Sequence, residues 1–489
     1  MMKRTLTLIL AAIMLAGCAS CGGTTDETPS TTADTSAEIT AAPETDITSK
    51  LEKQDFNESV ISILGYGSSN AYNDVDSFDA EQTGEVIDDA VYQRNIAAEQ
   101  LLNVKLEYNA LLGERESMDR FKNGVQAGDQ VCDMLIHKSG YFGTFFTSGT
   151  LIPWDGVSGL NTDEPWYVRA ANETINVGGR QYALFGDASK TNITMCWTTV
   201  FNKRLVEEYR LGDMYEIVKS GGWTMDRLMN LTKDIWKDLN GNGERDDEDL
   251  YGYYTDSFAT LDAFMVSHGL NATKKDKDGF PVTDFYSERL VKSFEKIYSL
   301  YWENSGTFVD TKEPYTYRFD FADGRAVFSP MLIDYYIAAD LRAMKDDYGI
   351  LPYPKLDEEQ KDYSTYLLGR TGIAMLPADI APEKLEMIGY VLDALNAYSY
   401  KYLRPAIYDL SLSTKGARDE NSLEMLELIM SKRQYDFAGF ASFGGSYPFT
   451  PVMTYRNLLA NKDVNITSYY ESNRSSAESY FDSYRKLVK

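Results

Sequence analysis

The chain has 489 residues, too many for one ordinary hydrophobic core, so two or more domains are expected. Its 43% hydrophobic and 25% charged residues are those of a globular protein. The 48 basic against 74 acidic residues leave a net charge of −26, which argues against nucleic acid and against binding to an anionic lipid surface.

The N-terminus reads as an export signal. Lys3 and Arg4 form a positive start, and Leu6 to Leu15 form an apolar stretch too short to span a bilayer. It ends in Leu15-Ala16-Gly17-Cys18, which resembles a bacterial lipobox, so residues 1–18 are read as a lipoprotein signal with Cys18 as the lipidated residue. Residues 19–50 are a Thr/Ser/Ala/Asp/Glu tract without apolar periodicity, expected to be a disordered tether.

Beyond it, strands and helices alternate. Glu58 to Leu64 predicts a strand, followed by turn-forming residues from Gly65 to Asn70. Thr83 to Leu102 predicts a helix, Asn103 to Tyr108 a second strand, Arg115 to Ala127 a helix and Cys132 to Ile136 a third, buried strand. This order points to an α/β domain with a largely parallel sheet. Tyr182 to Phe185 predicts a strand leaving that domain, and Asn192 to Phe201 is a β-rich run holding Trp197.

The stretch from Phe201 to Tyr253 carries the sharpest local signals. Thr224 stands at an N-cap position with Asp226 in the first helical turn, and Leu228, Leu231, Ile235 and Trp236 recur at helical spacing. An acidic loop follows from Asp238 to Asp249. Asp238, Asn240, Asn242 and Asp246 fall at positions 1, 3, 5 and 9 of a calcium-loop template, with Gly243 at the sharp turn. Glu244 would supply a backbone carbonyl, and Asp249 stands where the template has a longer Glu. The loop is expected to hold a structural Ca2+; the plainer reading is a solvated acidic turn.

Later segments predict helices at Leu261 to Leu270 and Tyr286 to Asn304, and a turn and strand from Phe319 to Phe328. A helix is expected to open near Asp334 to Tyr336, then an extended segment from Ile350 to Lys355, a strand from Gly372 to Leu376, and helices at Glu383 to Tyr400 and Ser422 to Ser431.

Catalytic signatures are thin. The chain has two histidines, His137 and His268, and neither has a nucleophile motif nearby. His137 follows a buried strand and reads as a structural imidazole. Two-carboxylate glycoside chemistry stays open, because an acidic chain supplies such pairs by chance. Cys132 and Cys196 are either one disulfide or two buried thiols. The 35 tyrosines, 22 phenylalanines and 6 tryptophans suit a protein that grips flat ligand faces as well as a large core.

Several stretches, in their order, resemble the extracellular solute-binding proteins of bacterial ABC importers, family 1, the carbohydrate type. They are the lipobox with its tether, Val200 to Tyr209, Gly222-Trp223-Thr224 with the Asp/Asn/Gly loop and Leu250-Tyr251-Gly252, and Gly324 to Phe328. Tyr348 to Lys355 with Gln360 and Tyr363, and Tyr408 to Leu412 with Ala417-Arg418-Asp419, complete the pattern. The resemblance implies a periplasmic-binding-protein-like α/β fold of two lobes joined by a hinge, with discontinuous domains. The lobes are then expected at 51–186 with 324–390 and at 187–323 with 391–489. It implies a lipid-anchored monomer on the outer face of the cell membrane that takes a carbohydrate, an oligosaccharide above all, and partners an ABC permease, with no catalytic residues. By position, Tyr66, Trp166, Asp187, Trp197, Asp334, Tyr335 and Arg370 are the expected ligand contacts. A secreted carbohydrate-active enzyme, or a glycan binder without a transporter, is the alternative.

Overall fold

The computed structural model describes residues 46–67, 78, 81–412, 420–441 and 446–488. The expected export signal, Cys18 and most of the expected tether lie outside these residues. The tether is expected to reach residue 50, but Ile47–Lys50 is already a turn of 3-10 helix. Ile47, Leu51 and Phe56 pack against the core, and Lys50 Nζ lies 3.1 Å from the Glu164 carboxylate. Apolar side chains at this spacing pull the end of the segment into the fold.

From Ile47 the chain is one contact unit built on two sheets. Its strands are β1 Ser59–Gly67, β2 Val104–Leu112, β3 Met134–Lys138, β4 Leu151–Ile152 and β5 Trp197–Asn202. Then come β6 Trp236–Lys237, β7 Leu250–Asp256, β8 Thr273–Lys275, β9 Pro281–Thr283 and β10 Thr307–Asp310. The last are β11 Ala326–Leu332, β12 Tyr348–Pro352, β13 Thr365–Tyr366, β14 Gly372–Pro377 and β15 Arg433–Gln434.

The first sheet has the order β2-β1-β3-β14-β4. β1 runs parallel to β2 over its full length and parallel to β3, while β14 is antiparallel to β3. The parallel pairs require crossovers, which the helices Val86–Leu102 and Glu114–Ala127 supply. The second of these helices ends as its sequence predicts. Gly128 adopts φ 77°, and its N–H caps the carbonyls of Gly124 and Val125.

The second sheet has the order β10-β7-β11-β5-β12, with β6 against β7. β7, β10 and β11 are parallel, and β5 is antiparallel to both β11 and β12. Every residue of β5, β7, β11 and β12 is buried. Helices pack on them, Tyr317–Ala322 on β11 and β7 and Glu420–Ser431 on β12.

Three expectations change here. The predicted return to the first lobe near Gly324 does not happen there, because β11 and β12 join the second sheet. The chain re-enters the first sheet only at Gly372. The boundary at 390 also falls inside a helix: Leu385–Tyr398 keeps packing on Val86–Leu102 through Val391, Leu392 and Leu395. And the chain end crosses back, since the helix Asp482–Leu487 packs on Phe142–Thr147 with Tyr484 and Phe146 rings stacked 5.0 Å apart.

Local signals also shift. Thr224 caps its helix by accepting the Arg227 N–H, but the helix stops at Thr232 because Trp236 and Lys237 pair with β7. Gly252 and Gly306 permit this close approach: a Cβ at Gly306 would meet the Thr232 carbonyl oxygen at 1.7 Å. Tyr182 to Phe185 makes a single bridge from Leu184 to Ala374 rather than a strand. Among the described residues no helix is long and apolar enough to cross a membrane.

Candidate functional site

Parallel strands in one sheet end on the same side, and open α/β sheets bind ligands beyond those carboxyl ends. In the first sheet β1 ends at Tyr66-Gly67 and β3 at His137-Lys138, and antiparallel β14 begins beside them at Gly372. In the second, β7 ends at Asp256 and β11 at Leu332, and antiparallel β5 begins beside them at Trp197. Two crossovers join the sheets, residues 186–196 and 353–371. They are tied by the Cys196–Leu367 bridge and by Asn192, whose amide donates to Gly186 O at 2.9 Å and Gly372 O at 2.8 Å.

On the first side, Tyr66 is buried, 4.9 Å from the His137 ring, with Lys138 Nζ 5.1 Å from its ring centre. Lys138 pairs closely with Glu114. His137 Nε2 donates to the Glu114 carbonyl at 3.1 Å, and burial holds its pKa down to about 4, so it stays neutral. Burial first, then the Glu114 charge, pushes the neighbouring Tyr141 phenol up to about 12.

On the second side, Asp256 accepts the N–H groups of Phe258 at 3.0 Å and Tyr315 at 2.8 Å and the Thr260 hydroxyl at 2.9 Å. Asp262 pairs with Arg456, Nε to Oδ1 at 3.1 Å, and the Arg456 guanidinium lies 4.2 Å from the Phe258 ring centre. Burial raises the Asp262 carboxyl, and the Arg456 charge opposes it. Arg318 stacks between Tyr335, 4.8 Å, and Phe319, 4.5 Å, and Phe319 is 41% exposed. Arg370, on the second crossover, acts on both sides: its charge lowers the pKa of Tyr141 on one and of Asp262 and Tyr315 on the other.

Of the residues expected from sequence, Tyr66, Asp334, Tyr335 and Arg370 come to these strand ends. Asp334 and Tyr335 open the helical turn that follows β11. Trp197 is there too but fully buried, its ring T-shaped to Tyr353 at 6.2 Å, so it presents no open stacking face.

Two others have structural work instead. Trp166 is enclosed in the first core, and its indole N–H donates to Asp393 at 3.1 Å. Asp187 has no exposed surface and sits between Arg433, 3.1 Å, and a closer Arg404, so its oxygens serve the crossover rather than a ligand. Sequence reasoning missed Phe258, Asp262, Tyr315, Arg318, Phe319 and Arg456. The β7 pattern locates its own end, but Asp262 and Arg456 stand 194 positions apart with no signal linking them.

The structure lends no support to calcium in the acidic loop. Asp249 is buried, accepting the Trp236 indole N–H at 2.9 Å and the Leu239 N–H at 3.0 Å. Asp238 takes the N–H groups of Gly241 and Gly243, and the side-chain amides of Asn240 and Asn242 donate to Asp246. The Glu244 N–H donates to the Asn242 side-chain oxygen. Among the described residues no group of three or more His, Cys, Asp or Glu is placed to hold a metal. The short Asp249 side chain, committed inward, is the physical reason. Cys132 and Cys196 are free and buried; burial raises both thiols, Cys196 to about 12.

A family model for bacterial extracellular solute-binding proteins matches residues 96–393, well over half of the chain. The fold is that of solved ABC substrate-binding proteins. A solute-binding protein from Thermotoga lettingae TMO bound with α-D-tagatose aligns at TM-score 0.50 and 15% identity, covering 87% of this chain and 100% of that one. A cyclo/maltodextrin-binding protein complexed with maltotetraose aligns at TM-score 0.52 and 12% identity, over 88% and 96%. A substrate-binding protein from Listeria monocytogenes in complex with cycloalternan aligns at 0.51 and 10%, over 86% and 99%. No curated protein matches the chain.

Proposed function

We propose, on the premise that this chain belongs to the bacterial extracellular solute-binding proteins, that it captures an oligosaccharide between its two lobes and delivers it to an ABC permease. A lipid on Cys18 would hold it to the outer face of the membrane, as a monomer. What supports this reading is that aromatic residues stand at the strand ends of each sheet, Tyr66 and Tyr141 on the first and Phe258, Tyr315, Phe319 and Tyr335 on the second, with crossover segments joining the two sheets. Aromatic faces suit the C–H faces of sugar rings, and the interleaved charged groups suit their hydroxyls. On this reading the first lobe runs to the crossover at 186 and resumes at Gly372, and the second centres on 197–352.

The test is a thermal-shift screen of the body from Ile47 with mono- and oligosaccharides, including D-tagatose, maltotetraose and cycloalternan. A ligand bound only by the folded state raises the melting temperature by mass action. A shift with the sugar recovered intact supports the reading. Recovery of cleaved sugar, or no shift with any sugar, refutes it.

A further inference from the structure

The β8–β9 hairpin belongs to the second lobe by its surroundings. The chain leaves it into the helix Glu288–Tyr298, which packs on Met225–Thr232 and, through that helix, on β7. β8 and β9 pair antiparallel from Thr273 and Thr283 to Lys275 and Pro281, and Lys274 Nζ holds Asp284 at 2.8 Å. The tip is a tight turn in which the Asp276 carboxylate accepts the N–H groups of Asp278 and Phe280, both at 2.9 Å.

That tip ends on the first lobe. The Gly178 N–H donates to the Gly279 carbonyl at 3.0 Å, and Lys275 Nζ donates to the Asn176 carbonyl. The two backbones touch so closely that a Cβ at Gly279 would lie 2.8 Å from Gly179 N. Asn176 to Arg180 is the turn after the helix Arg169–Ile175. It leads through Gln181, whose carbonyl takes the Trp154 N–H at 2.7 Å, to the Leu184–Ala374 bridge on the first sheet.

A second grip comes from the end of the chain. Arg485 pairs with Asp276, and its guanidinium lies 4.8 Å from the Phe280 ring centre. Arg485 stands on the helix Asp482–Leu487, which packs on Phe142–Thr147 of the first lobe. The hairpin tip is therefore held from two sides by elements seated on the lobe to which it does not belong.

Crossover segments let packed lobes turn against one another by changing a few backbone angles. A contact between lobes that lies outside the crossovers opposes that turning for as long as it is made. Its bonds are few and modest, so they break and re-form within the time of domain movements. We propose that the tip of the β8–β9 hairpin is a clasp: gripped by the 176–180 turn and by Arg485, it holds the lobes in the arrangement described and must release before they turn about the crossovers. The clasp rests on the two-lobe fold alone, so it stands or falls separately from the carbohydrate reading.

The test is the double variant Lys275→Met with Arg485→Met, which removes both charged grips and leaves the Asp276 turn bonds in place. Lys274→Met is the control, since that lysine serves Asp284 within the hairpin. Two readings are taken on the Ile47–Lys489 body. One is backbone hydrogen exchange of the peptides holding Gly178 and Gly279. The other is the spread of distances between spin labels on Asn123→Cys and Arg227→Cys, exposed helix positions of the first and second lobes. The native Cys132 and Cys196 are buried and stay unlabelled. In the double variant exchange at Gly178 is expected to rise about tenfold or more, and the distance distribution to widen. Lys274→Met is expected to match wild type in both. Unchanged exchange in the double variant overturns the clasp. Faster exchange with an unchanged distance distribution also overturns it, because the tip would then open without freeing the lobes. Should the double variant fail to fold, Arg485→Met alone, at a side chain 36% exposed, is read by the same two outcomes.

Discussion

Replacing Asp187 by Asn separates a hinge role from a ligand role. Asp187 is fully buried between two guanidinium groups, Arg433 Nη1 at 3.1 Å and the closer Arg404 Nη2. Arg433 also donates to the Asn192 carbonyl at 2.7 Å, and Arg404 lies 4.2 Å from the Tyr400 ring centre, so neither cation can swing to water without disrupting the crossover. The amide of Asn keeps the shape but removes the charge, leaving two buried cations without their counter-ion. Breaking a buried pair in this way costs about 3–5 kcal/mol. Unfolding entropy of roughly 2.1 cal/mol/K per residue gives a body of this size roughly 0.9 kcal/mol/K, so the melting temperature should fall by about 3–5 °C. Melting without sugar and affinity for any sugar found in the screen are measured on the same preparation. A variant that melts within about 1 °C of wild type but no longer binds would refute the reasoning and return Asp187 to the ligand.

His268 is buried with Nδ1 2.7 Å from Ser293 Oγ, and burial, then the Arg289 and Lys296 charges, hold its pKa down to about 3. Its folded pKa lies below the unfolded value of 6.5, so its contribution is complete above pH 6.5 and is lost as pH falls toward 3. That slope is up to about 1.4 kcal/mol per pH unit, and a His268→Gln series should show a flatter acid limb than wild type. Asp357 behaves alike in a lower window. Burial would raise it, but Lys292 at 2.7 Å and Arg289 at 3.1 Å prevail and hold it at about 2. Its stabilisation is present above pH 3.8 and lost as pH falls toward 2, so Asp357→Asn should cost about 1–2 kcal/mol at pH 7 and nearly nothing at pH 2, by denaturant titration at each pH. Gly306→Ala drives a Cβ into the Thr232 carbonyl and should destabilise by about 3 kcal/mol; a loss below about 0.5 kcal/mol would show that the helix end yields freely.

Much of the scaffold was legible in the residues themselves. The alternation from Glu58 to Ile136 predicts the parallel core of the first sheet, because period and length distinguish its strands from its crossover helices. Thr224 marks a helix start through a local hydrogen bond to the Arg227 N–H, which neighbouring residues settle. Tyr66, Asp334, Tyr335 and Arg370 were placed by that same logic, since each stands at the end of a predicted strand or just before one.

The acidic loop shows where local reading stops. Its spacing fits a calcium template, but the fate of Asp249 depends on Trp236 and on burial beneath β6 and β7, which no template records. Trp166 and Asp187 are alike: composition allows a platform and a ligand carboxylate, while packing encloses one against Asp393 and the other between arginines 217 and 246 positions away. The late return to the first sheet, at Gly372 instead of near Gly324, was decided by β11 and β12 pairing with β5. By itself the sequence determined which segments are strands, helices and caps, because those depend on side chains a few positions apart. The partners across the crossovers, the enclosure of Trp166 and Asp187, and the pairing of Asp262 with Arg456 were settled only by the tertiary structure. Those contacts join residues distant in the chain, and their energies exist only once burial removes water from both partners.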